Sequence, residues 1–148
     1  MTHHCCNQEI SEQECKDLLS QHGINKTKSK VAILLKLSQS QDPLSAQQLH
    51  ERLESCDLST VFRTLSQFKE KNLVREVNLD EGFLRFQLIL DPGQQHAHHH
   101  HYVRCRQCGK ISQIEDCDLS VFEKAISKLG YTQMEHKLEF SGLCSQCS

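Results

Sequence analysis

Apolar residues recur at helical spacing through the first part of the chain and then pass into short runs bounded by turn residues. Ile10 to His22 predicts one helix, closed by Gly23, and Lys28 to Leu37 predicts a second with Val31, Leu34 and Leu35 on one stripe. Ser45-Ala-Gln-Gln48 is a capping-box pattern that starts a short helix through Leu53, carrying Leu49 and Leu53 inward. From Asp57 to Asn72, Leu58, Val61, Leu65 and Phe68 make a buried stripe, with Phe62 at its edge and Arg63 pointing away. Leu73 to Leu79, Asp80 to Gly82 and Phe83 to Leu90 then predict strand, turn and strand, with Gly82 free to take a positive φ.

Helices followed by a two-stranded hairpin are in the order of a winged helix-turn-helix module, whose last helix before the hairpin enters the major groove. The face opposite the apolar stripe offers Ser59, Thr60, Arg63, Ser66 and Gln67, groups suited to phosphates and base edges. The same face would also serve as a plain solvated surface. Lys28, Lys30, Phe62 and Thr64 complete the candidate DNA contacts. The net charge of −2 excludes a generally basic nucleic-acid coat, so any DNA contact must come from a local patch.

Composition changes at Asp91-Pro92-Gly93-Gln94-Gln95, which reads as a hinge between residues 1–90 and 96–148, with residues 1–9 a frayed terminus. Beyond the hinge lie a histidine tract from His96 to His101 and two Cys-x-x-Cys pairs, Cys105/Cys108 and Cys144/Cys147. Four thiolates in two short loops are what a tetrahedral structural zinc requires. Two disulfides are the poorer reading because a two-residue loop strains the ring, and a thioredoxin-type site would need one pair opening a helix. The start of the chain, Met1-Thr2-His3-His4-Cys5-Cys6-Asn7, lacks an apolar signal core, and no segment is long and apolar enough to span a membrane. A cytoplasmic address would keep the nine cysteines reduced and available to metal.

Leu58-Ser-Thr-Val-Phe-Arg-Thr-Leu65 with Leu73-Val74 resembles the recognition helix of the ferric uptake regulator family. The His-rich run into Cys105-x-x-Cys108-Gly109-Lys110, with Gly142-Leu-Cys144-x-x-Cys147, resembles that family's metal-binding dimerisation domain. The likeness runs from about Gly23 to Cys147 with its parts in order, and zinc uptake regulators look most similar. It implies an α+β protein with an N-terminal winged helix-turn-helix domain and a C-terminal α/β dimerisation domain. The implied function is that of a homodimeric repressor of metal uptake genes that binds a double-stranded operator when loaded with metal. The four cysteines match the family's structural zinc ligands, and His136, eight residues before Cys144, matches a ligand of a second metal. Gln87 and Gln113 stand where relatives place carboxylates or, in the hairpin, a cysteine. Arg75 stands where zinc-responsive members often have histidine or aspartate, and Pro43 where iron and peroxide sensors often have histidine. Amide oxygen is a poor zinc ligand beside imidazole or thiolate, and arginine is none.

The histidine tract is offset by one residue from the family's spacing, since Tyr102 takes the position three before Cys105. We expect a regular strand to put His98 and His100 on the face of Cys105 and His99 and His101 on the other, with a bulge exchanging the pairs. With a bulge, His99 and His101 would serve the sensor while His98 and His100 join His136 at the second site; with a regular strand the assignments swap. Glu115, Asp116 and Cys117 are further candidate ligands, whereas His50 and Cys56 read as ordinary surface or core residues. The His- and Cys-rich surroundings suit zinc as the regulatory metal better than ferrous iron. An iron- or peroxide-responsive regulator of the same family is the alternative, and a metal-storage or metallochaperone protein is the alternative of another class. No His-x-Glu or His-Glu-x-x-His arrangement is present, so an enzyme is not expected.

Overall fold

Four short helices and a hairpin build the first part of the chain, each helix started by a side-chain cap. The structure is a computed structural model and describes residues 9–90, 101–114, 118–134, 136 and 138–148. Ser11 caps α1 (Glu12–Gln21) by accepting from the Glu14 N–H, while the Glu14 carboxylate accepts from the Ser11 N–H at 2.7 Å. Thr27 caps α2 (Lys28–Ser38). Ser45 and Gln48 close the expected capping box at α3 (Ala46–Glu51), and Asp57 caps α4 (Leu58–Glu70). The hairpin is β2 (Val74–Asn78) and β3 (Leu84–Leu88), with Asp80 and Gly82 both at positive φ in its turn. A strand that the hydrophobic pattern does not reveal, β1 (Leu44–Ser45), pairs antiparallel with β3 and gives a sheet of order β1-β3-β2. Two residues are too few to show alternation, so only the pairing defines them.

The core lies where these elements meet: Leu19, Ile33, Leu34, Leu49, Val61, Leu65, Phe68 and Leu73 are fully buried. Helices α1, α3 and α4 are shorter than expected. Leu53 falls beyond the end of α3, and it and Leu58 are half-buried, but both pack against the core as expected. On α4 Thr64 joins Val61, Leu65 and Phe68 on the buried face, at 4% exposure.

The described residues divide into two compact units, residues 1–98 and 99–148. The expected hinge, 91–95, lies outside the described residues. In the second unit β4 (His101–Cys105) is central, with β5 (Ile111–Ile114) antiparallel on one side and β6 (Glu139–Gly142) parallel on the other. A parallel neighbour needs a crossover, and α5 (Ser120–Lys128) lies within it. Helix α5 buries none of its residues: Val121 is 76% exposed, Phe122 64%, and Leu129, just past its end, 74%. Among the described residues, no helix is long and apolar enough to cross a membrane.

Candidate metal centre and nucleic-acid interface

The register of the parallel pair puts Gly142 opposite Cys105, so the two Cys-x-x-Cys loops leave the sheet side by side. The first loop turns back through a bond from the Gly109 N–H to the Cys105 carbonyl, with Gly109 at φ 73. In the second, the Cys147 and Ser148 N–H groups both donate to the Cys144 carbonyl. All four sulfurs lie within 4.8 Å of one another, and Cys108 Sγ is 3.6 Å from Cys144 Sγ. A tetrahedron with zinc–sulfur bonds of about 2.3 Å has edges of about 3.8 Å, so the donor set fits zinc. Backbone N–H groups at Cys108 and Cys144 favour the Cys105 thiolate and lower its pKa to about 6. The sulfurs of Cys144 and Cys108 hold Cys147 up at about 12. A divalent cation bound among these sulfurs would neutralise the thiolates it draws together.

Strand β4 pairs residue for residue with β5 from His101 to Arg104, without a bulge. The face assignment expected for a regular strand is therefore corrected: residues four apart complete two pleats, so His101 shares the face of Cys105. His101 is 5% exposed, and its Nε2 lies 3.3 Å from Nε2 of His136, with ring centroids 5.3 Å apart. That separation is about the edge of a tetrahedron with metal–nitrogen bonds of about 2.0 Å. His98, His99, His100, Glu115, Asp116 and Cys117 lie outside the described residues. Gln113 is exposed on β5 opposite Tyr102. In the hairpin, the Gln87 oxygen accepts from Arg75 Nε at 2.9 Å and also from its Nη2, so this position presents a cation and an occupied amide.

On α4, Ser59, Phe62, Arg63 and Ser66 are exposed, Phe62 by 52%, while Thr60 and Gln67 are half-buried. Thr64 is removed from the candidate DNA contacts, because it sits one turn after Val61 in the buried stripe. Lys28 is exposed and Lys30 half-buried in the first turn of α2, which holds no acidic residue. Two cations at the positive end of a helix dipole are mildly unfavourable until an anion approaches. The Asp57 carboxylate accepts from Ser59 Oγ at 2.5 Å, from the Thr60 N–H at 2.8 Å and from Thr60 Oγ1 at 2.8 Å. Those bonds, led by that from Ser59, hold its pKa well below the usual aspartate range.

The model of the ferric uptake regulator family matches residues 21–141. The chain belongs to that family. Members of the ferric uptake regulator family are metal-responsive transcriptional regulators. The chain is 33% identical over 141 residues to the ferric uptake regulation protein of Legionella pneumophila, covering 91% of this chain and 96% of that one. It is 31% identical over 134 residues to the zinc uptake regulation protein of Mycobacterium tuberculosis, covering 87% and 98%. The crystal structure of the Vibrio cholerae ferric uptake regulator superposes with a TM-score of 0.73 at 28% identity, over 87% of this chain and 98% of that one. The fold is that of the family, an N-terminal winged-helix DNA-binding domain and a C-terminal dimerisation domain.

Sequence reasoning missed Arg85 and Glu81. Arg85 is 7% exposed, pairs with both Glu81 oxygens at 2.6 and 3.0 Å, and donates to Gln48 Oε1 and the Pro43 carbonyl. One guanidinium thereby fastens the hairpin turn to the capping box of α3. A charged residue in a strand whose other face is apolar was the available signal.

Proposed function

We propose that this chain is a zinc-responsive repressor, acting in the cytoplasm as a homodimer on double-stranded operators of metal uptake genes. The observation that carries the choice of metal is the donor set. Thiolates and imidazoles cluster on β4 and beside β6, while the hairpin offers the Arg75–Gln87 pair in place of carboxylates. Soft and borderline donors select zinc over the harder ferrous ion. The likeness to a zinc uptake regulation protein supports the same reading.

In this reading Cys105, Cys108, Cys144 and Cys147 hold a structural zinc, and His101 and His136 contribute to a second, regulatory site. When bound, zinc supplies charge neutralisation and a fixed tetrahedral geometry. The exposed apolar side chains of α5 meet a second copy, and α4 of each copy enters the major groove, with Lys28 and Lys30 on phosphates. Metal can regulate DNA affinity only through unequal binding to the operator-competent and free arrangements.

The test is operator affinity against buffered free zinc and, under anaerobic conditions, against ferrous iron. Zinc-dependent, salt-sensitive binding to one sequence supports the proposal. Activation by iron alone would make the chain an iron-responsive member, as its similarity to the Legionella protein would then suggest. Binding of metal without any effect on DNA affinity would favour storage or metal delivery.

A further inference from the structure

We propose that Asp57 is a specificity-determining residue, which makes the first turn of α4 present hydrogen-bond acceptors to the major groove. The inference rests on the reading of α4 as the helix that contacts the operator.

A hydroxyl has one proton and two lone pairs. Both nearby hydroxyl protons, those of Ser59 and Thr60, are committed to the Asp57 carboxylate at 2.5 and 2.8 Å. Thr60 Oγ1 also accepts from Arg63 Nη2 at 3.3 Å, so one of its lone pairs is taken. What remains on these side chains is acceptor only. Phosphate oxygens, guanine O6 and N7, and thymine O4 are acceptors too and cannot be satisfied here. The groups that can be satisfied are the amino groups of adenine and cytosine, N6–H₂ and N4–H₂. A carboxylate beside these hydroxyls also disfavours a phosphate at the same place.

The hydrogen bonds therefore divide the labour along the helix. Arg63 retains donors for phosphate or guanine, whereas the first turn reads an amino group. Asp57 acts through Ser59 and Thr60, and its effect is on base preference, which a purely structural cap would not alter. The carboxylate stays ionised far below neutral pH, so the polarity of the hydroxyls is constant over the range in which DNA is bound.

The test uses the full-length, zinc-loaded protein, selection from a randomised duplex library, and direct titration of single-base operator variants. Asp57→Asn retains a side chain favoured at helix N-caps, so α4 still starts at the same residue. Its amide must donate to one of the hydroxyls, turning that hydroxyl's proton outward. The expected result is a change of about fivefold, the worth of one hydrogen bond, away from adenine or cytosine and toward guanine or thymine at one position of each half-site. Ser59→Ala and Thr60→Val in the parent background should each weaken the preference without creating the new one. A selective parent with an Asp57→Asn variant of identical base preference at every position overturns this assignment alone. A parent that prefers no sequence overturns it together with the reading of α4.

Discussion

Replacing Cys144 by serine should unfold the second unit and leave the first folded. Cys144 begins two residues after β6, and β6 is joined to the rest of its sheet only through β4. Of the buried hydrophobic residues described, Tyr102 and Cys105 are the two that belong to this unit. A segment with so small a core depends on metal or on a partner. Structural zinc contributes on the order of 10 kcal/mol at neutral pH, comparable with the roughly 5–15 kcal/mol net stability of an entire domain. Losing one of four ligands should therefore exceed what the remaining contacts can offset. Hydrogen exchange followed by mass spectrometry reads the outcome. Amides of β4 and β6 should lose protection in the variant and in the chelated parent, while α2 and α4 stay protected. Zinc should be lost from both the four-thiolate cluster and the His101–His136 pair, which belong to the same unit, and acidification should reproduce the effect because protons compete for the ligands. Persistent protection of β6 after complete zinc removal would refute the reasoning.

Arg85→Met should destabilise the first unit by about 3 kcal/mol or more, since it strands Glu81, whose side chain is 11% exposed; urea denaturation showing a loss below about 1 kcal/mol would contradict this. Replacing His101 and His136 together by alanine should remove a second zinc equivalent and zinc-dependent operator binding while the four-thiolate zinc remains, as metal analysis and DNA titration would report. Arg63→Ala should weaken binding to every sequence and reduce the salt slope by about one, whereas Phe62→Ala should mainly reduce discrimination at a thymine. Val121→Asp with Leu129→Asp should give monomers by light scattering, because these residues, 76% and 74% exposed, are the most exposed large apolar side chains described.

The helices were legible in the sequence because their signals are local. Ser45 with Gln48 announces its own hydrogen bonds, and those bonds form. The paired cysteines were legible for the same reason, since a two-residue spacing restricts each loop by itself. The strand β1, the Arg85 cluster and the meeting of His101 with His136 depend on residues distant along the chain. Thr64 shows the remaining limit. It was a candidate DNA contact, but the rotation of α4 against the core places it beside Val61 and Leu65. The polarity of Ser59 and Thr60 likewise follows from where their protons go, which residue type leaves undecided. Short-range spacing sets caps, turns and ligand pairs, whereas strand register and helix rotation are set by which faces can be buried together.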